Sequence, residues 1–272
     1  MSIFNEGSDR FMRVAQLATT LREIEDPKLD LVGFDACLMN MVEVHHEIQQ
    51  SIGIVVGSAD EIPQPGWPYH TVLSALVANP EMDNRALAGV IVDEYAKAYP
   101  HGIEGKGISF SAVDLSACDQ LAARVNKLAS VLLPEIIDGA VQRAVGEARR
   151  QAQNEYQNQY LDLHAFCSAL EGKLTGTPSE SASDLASVLN DRYVFHHKSS
   201  ERRVATYALG VSICFPNTLC LSSDGAPTNA GRDGVKRNVD WDSYKALTFA
   251  HETAWDDFVE VCIEKRVSSL GP

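Results

Sequence analysis

No apolar run in these 272 residues approaches the roughly 20 that a helix needs to cross a bilayer. A basic face is also lacking. The 23 Lys and Arg against 37 Asp and Glu leave a formal net charge of −14, which argues against nucleic acid, whose phosphates need cations to neutralise them. The start, Met1-Ser2-Ile3-Phe4-Asn5-Glu6-Gly7-Ser8, has neither the basic region nor the apolar core of a signal peptide. Six Cys without tight spacing make no disulfide framework. Cys118, Cys167, Cys214 and Cys262 sit inside apolar patterns and read as buried thiols. No Cys and His cluster has zinc spacing, no loop has the Asp-x-Asp-x-Asp-Gly of an EF hand, and no Gly-rich phosphate loop occurs.

What is present reads as alternating strands and helices. Apolar residues at helical spacing predict a helix over Phe11 to Ile24, ended near Pro27. Leu29 to Phe34 reads as a strand, Leu38 to Gln50 as a helix, and Ile52 to Gly57 as a second strand, apolar on both faces. A loop rich in acids, Pro and Gly runs from Ser58 to Pro68. Asp83 predicts an N-cap for a helix reaching Tyr99, and Gly107 to Val113 a third strand. Ser116 caps a helix toward Leu133, and Pro134 kinks it or separates it from a further helical stretch ending near Asn158. The Gly, Thr, Pro and Ser tract from Gly172 to Ser183 reads as a loop, followed by a short helix around Asp184 to Asn190. Ala208 to Phe215 is a fourth strand, Leu221 to Asn238 a long surface loop, and Trp241 to Val267 helical. This order predicts an α/β fold with a mainly parallel sheet and helices on both faces.

The segment Leu29-Asp30-Leu31-Val32-Gly33-Phe34-Asp35-Ala36-Cys37-Leu38-Met39 carries the chemistry. A buried strand that hands over to a helix leaves Cys37 at the strand's carboxyl end, where ligands bind in open α/β sheets. A helix N-terminus just beyond would lower the thiol pKa. The segment closely resembles the nucleophile segment of the clostripain family of cysteine peptidases, Leu-Asp-Leu-Ile-Gly-Phe-Asp-Ala-Cys-Leu-Met. The resemblance continues through Gly66-Trp67-Pro68-Tyr69, Phe110 to Leu115, Tyr160 to Leu163, Gly210 to Pro216 and Trp255-Asp256-Asp257-Phe258. It implies the α/β/α sandwich of caspases and gingipains. Residues 1–272 then form a single caspase-like domain, the C-terminal two-thirds of a clostripain-type peptidase, without the family's N-terminal strands.

The resemblance implies Cys37 as nucleophile and a His base a few dozen residues upstream, in a His-Gly turn. Thirty-six residues precede Cys37 and none is His. His45 and His46 read as surface or inter-helix residues. His70, after Trp67, is the only other His that could approach, and His101, His164, His196, His197 and His251 have no motif around them. Family members are often cut between the His and the Cys, so three expectations stand. The chain is the heavy part of a two-chain peptidase, a sequence lacking its amino-terminal third, or an inactive pseudo-peptidase that binds or regulates. A light chain or a self-pairing dimer is expected to cover the strand at Leu29, which would otherwise be an exposed apolar edge.

Asp35 has two readings: a cap for the following helix, or, by resemblance, the pocket acid that pairs with an Arg or Lys before the cut bond. A second pocket acid of some relatives falls at Pro65, and Asp60 and Glu61 read as a solvated loop face. Trp67 and Tyr69 either wall the pocket or pack in the core. By resemblance the oxyanion hole uses the Cys37 N–H and one from the absent His-Gly turn. No cofactor is expected, calcium being suggested by the resemblance alone. The expected partner is a peptide or protein substrate bearing Arg or Lys, and the compartment is left open.

Overall fold

The computed structural model describes residues 2–5, 10–24, 28–102, 107–153, 159–200, 207–216 and 241–265. A hairpin, β1 (Ser2–Asn5) against β2 (Arg10–Arg13), leads into α1 (Val14–Arg22). The helix expected from Phe11 therefore starts at Val14, where the Gln16 side chain accepts the Arg13 N–H. Then come β3 (Leu29–Gly33), α2 (Val42–Ile48), β4 (Ile52–Ser58), α3 (Tyr69–Ala78), α4 (Asn84–Ala98) and β5 (Ser109–Asp114). The chain goes on through α5 (Cys118–Glu135), α6 (Gly139–Ala152), β6 (Tyr160–Asp162), α7 (Leu163–Glu171), α8 (Thr177–Val188), β7 (Val194–Ser199) and β8 (Ser212–Cys214). Three short helices follow: α9 (Trp241–Lys245), α10 (Thr248–Glu252) and α11 (Trp255–Glu264). The loop expected over Leu221 to Asn238 lies outside the described residues.

The main sheet has the order β3-β4-β5-β7. β3 and β4 are parallel, with Leu31 opposite Ile54, whereas β5 runs antiparallel to both β4 and β7. The sheet is thus mixed, within the expected α/β/α class. The reversal has a simple cause: two helices, α3 and α4, separate β4 from β5, so the chain re-enters the sheet from its other end. β6 and β8 form a separate antiparallel pair, joined to the β3–α2 passage by a bridge between Met41 and Ser212.

Strand side chains alternate between two cores, as the twofold period of a pleated strand requires. Val55 and Val113 pack with α2, α5 and α8, while Ile54, Val56, Phe110 and Ala112 pack with α3 and α4. Asp83 caps α4 by accepting the Ala86 N–H at 2.7 Å. Asp114, two residues ahead of the expected Ser116, accepts the Ser116 N–H before α5. The tract expected as a loop from Gly172 contains the first turns of α8. Pro178 sits where its missing N–H costs no helix bond, and Ser181 and Ala182 are small enough to bury. β7 was not expected, because its sequence, Val-Phe-His-His-Lys-Ser, is mostly polar.

α2 is buried on every side. Glu43 in its first turn accepts the Cys214 N–H at 2.8 Å and the Tyr244 hydroxyl at 3.1 Å on one oxygen, while the other, Oε2, is buried with no hydrogen-bond partner among the described residues. Burial raises its carboxyl from 4.5 to about 7. The folded chain therefore holds a proton that the unfolded chain has released. Stability is greatest below the unfolded value, falls as pH rises toward 7, and stays low above it. We expect Glu43→Gln to remove this loss, so the variant gains on the wild type by about 2–3 kcal/mol between pH 5 and pH 8. Thermal melts of both proteins across that range measure it, and parallel curves would refute it.

Candidate active site

β3 ends against an aromatic wall. The Trp67 ring lies over Gly33 so closely that a Cβ there would collide with it, and its edge meets Phe110 at 5.6 Å between centroids. Past Gly33 the chain stays pinned to the β4 side. Phe34 N–H donates to Val56 O, Asn40 N–H to Ser58 O, and Leu38 N–H to Asp60 O. Following that path takes Leu38 to a φ of 61°, a left-handed conformation that costs a residue with a side chain on the order of 1–2 kcal/mol. Strain of this kind gathers at functional turns.

Cys37 stands on the outside of this turn and is exposed. Its Sγ accepts the Ile62 N–H at 3.2 Å and lies 3.9 Å from Ile62 O. The helix N-terminus expected to lower the thiol pKa is not next to it, because α2 begins only at Val42. The thiol pKa is instead raised. Desolvation by burial is the chief cause, the Glu61 and Asp35 charges add to it, and the N–H groups of Ile62 and Cys37 oppose it.

Asp35 does not cap α2, whose N-cap is Met41 and receives no side-chain bond. Its carboxylate turns to the loop after β4, where Oδ2 accepts the Trp67 N–H at 3.2 Å and the Tyr69 hydroxyl at 2.8 Å. Gly66 makes this approach possible. It has a φ of 69°, and a Cβ on it would stand 2.5 Å from Asp35 Oδ2. Tyr99 secures the same loop from α4, donating its hydroxyl to Gly66 O at 2.7 Å. Desolvation and the Asp35 charge raise the Tyr69 phenol, so it stays a donor. The two aromatic residues divide the alternatives between them: Trp67 packs into the core, whereas Tyr69 is 51% exposed with its hydroxyl on Asp35.

All eight His lie among the described residues, and none of them hydrogen-bonds Cys37. His45 is buried with Nδ1 at 2.7 Å from the Tyr193 hydroxyl, and burial lowers its pKa to about 3. His46 pairs with Glu252. Both are inter-helix residues. His70 is exposed on the first turn of α3, and its carbonyl accepts the Ser74 hydroxyl. His196 pairs with Asp93, and His164 with the Tyr207 carbonyl. Among the described residues no group of three or more His, Cys, Asp or Glu could hold a metal ion. Sequence reasoning missed Ile62 and Tyr99. The first acts through a main-chain N–H that any residue supplies, and the second lies far along the chain.

The sequence model of the clostripain family matches residues 2–262. This chain belongs to the clostripain family. Solved structures of clostripain-type proteins share the fold. One described as a B. fragilis cysteine protease has a TM-score of 0.58 at 21% identity, over 93% of this chain and 99% of its own. A clostripain from Bacteroides thetaiotaomicron, in complex with the peptide inhibitor BTN-VLTK-AOMK, gives 0.60 at 15% identity, over 92% and 98%. An inactive zymogen from Parabacteroides distasonis gives 0.58 at 18% identity, over 89% of this chain and 62% of its own, so this clostripain-family chain spans about three-fifths of that zymogen. No curated protein matches.

The electrostatics of the thiol are directly measurable. Alkylation of Cys37 by iodoacetamide, followed against pH, is expected to reach half its maximal rate above the pH found for a free cysteine. Glu61→Gln is expected to lower that midpoint by a few tenths of a pH unit, on the order of one partly screened charge. An unmoved midpoint would show that Glu61 exerts no field at the sulfur.

Proposed function

We propose that this chain is the cysteine-bearing part of a clostripain-type endopeptidase that cuts peptide bonds after a basic residue, with Cys37 as nucleophile. The observation that carries the reading is the exposed Cys37 thiol at the carboxyl end of β3, two residues from a carboxylate fixed on the neighbouring loop. The reaction asks the thiol to give its proton to a base while sulfur adds to the peptide carbonyl carbon. The oxyanion accepts the Cys37 N–H, and collapse releases the amine, which takes the proton and leaves a thioester for water to hydrolyse. A base contributes typically 10²–10⁴-fold to such a step. The raised thiol pKa makes that contribution necessary. We assign the base to a His on a separate segment or light chain laid along β3, whose outer edge has no strand partner among the described residues. Asp35 would receive the basic side chain, with Tyr69 beside it and the Trp67 main-chain N–H holding its carboxylate. The relative's inhibitor, whose letters VLTK end in lysine, agrees with such a pocket.

The test is covalent labelling of the full chain by a lysyl acyloxymethyl ketone, with and without a candidate light chain, read as intact mass. Modification is expected at Cys37, faster with the light chain and lost in Cys37→Ala. No labelling under either condition, with folding confirmed by circular dichroism, would overturn the peptidase reading and leave a catalytically inactive binding subunit.

A further inference from the structure

We propose that Tyr69 makes the Asp35 site select lysine over arginine. This rests on the reading above, that Asp35 receives the substrate's basic side chain. A carboxylate has about four lone-pair sites, two on each oxygen. Both sites on Asp35 Oδ2 are taken, one by the Trp67 N–H at 3.2 Å and one by the Tyr69 hydroxyl at 2.8 Å. Oδ1 accepts no hydrogen bond among the described residues. The open half of the carboxylate is therefore one oxygen wide.

That geometry separates the two basic side chains. A guanidinium gains its advantage over an ammonium by placing two parallel N–H bonds on the two oxygens of one carboxylate. With Oδ2 saturated, this fork cannot form unless an existing donor leaves. An ammonium is a compact charge with three rotatable donors, and a single oxygen satisfies it. The donors on Oδ2 are also held in place. The Trp67 ring is wedged over Gly33 and against Phe110. The preceding Gly66 is fixed from the other side by the Tyr99 hydroxyl, and the Tyr69 N–H is bonded to Trp67 O at 2.8 Å. Expelling the Trp67 N–H would strand a main-chain donor, which arginine would have to offset. The Tyr69 hydroxyl is the only one of the two donors that a side-chain substitution removes.

The experiment compares the rates at which a lysyl and an arginyl chloromethyl ketone, otherwise identical, modify Cys37 in the full chain. Their ratio cancels the reactivity of the thiol itself. The wild type is expected to react faster with the lysyl probe. Tyr69→Phe, which frees one site on Oδ2, is expected to move the ratio toward arginine by about tenfold, the scale of one charge-assisted hydrogen bond. An arginyl rate equal to or above the lysyl rate in the wild type overturns the inference without any variant. A ratio unchanged in a Tyr69→Phe protein that melts like the wild type overturns the role of Tyr69. If both probes modify Cys37 no faster than a neutral alanyl probe, the reading of Asp35 fails first and takes the inference with it.

Discussion

Between the end of β3 and the start of α2 the chain must leave a sheet edge, expose a thiol and re-enter the core, and the buried Asn40 side chain is what lets it do so. Its Nδ2 donates to the Ser111 hydroxyl at 2.9 Å and to the Gly210 carbonyl at 2.5 Å, while the main-chain carbonyl of Asn40 accepts the Ser212 N–H at 3.0 Å. One residue thus ties the Cys37 turn to β5 in the main sheet and to β8 in the smaller one. Each such bond nets only about 1 kcal/mol, but a buried polar group left unmade costs more than that, so the set holds or fails together. Gly210 belongs to the same knot. Its φ of 75° and its place beneath Ser109 and Ser111 leave no room for a Cβ. The Cys37 turn is therefore fixed from inside, although its outer face is open.

That fixation explains why the thiol sits where it does, and also why it is at rest. The path that pins Leu38 to Asp60 brings Cys37 beside Glu61 and Ile62. Desolvation raises the thiol pKa, and the Glu61 and Asp35 charges raise it further. A thiolate is the attacking form, so the same loop that positions the sulfur holds back its ionisation. Placement and activation are separate problems in this chain, and the described residues solve the first.

Much of this was legible in the sequence where a single local signal decides the outcome. Leu29 to Phe34 and Ile52 to Gly57 announce strands by their largely apolar character, and Asp83 announces a helix start by its side-chain oxygen. Failures came where composition and context disagree. The Thr177-Pro178-Ser179 stretch has turn residues, yet Pro and small polar groups are equally suited to a first helical turn. The direction of β5 depends on counting two helices rather than one, which local periodicity does not express. In the site, Cys37 and Asp35 were legible as residue types. The Ile62 N–H, the left-handed Leu38 and the short reach between Gly66 and Asp35 were not, because a backbone's contribution leaves no letter in the sequence.

The edge of β3 joins stability to chemistry. Edge strands in folded proteins are protected by charge, proline or bulges, and β3 carries only Asp30 in the way of charge, with Leu29, Leu31 and Val32 half-buried. Its outer row of backbone groups has no strand partner among the described residues. A strand laid parallel along it would hide that apolar surface. Its carboxyl end would also emerge beside Cys37, since parallel neighbours end on the same side of a sheet, as β4 does with Ser58 and the loop that meets the thiol. Covering the edge and bringing new groups to the sulfur would then be one binding event. The free energy of strand pairing and side-chain burial would set how firmly those groups were held, so stability of the edge and supply of a group to the sulfur would be coupled.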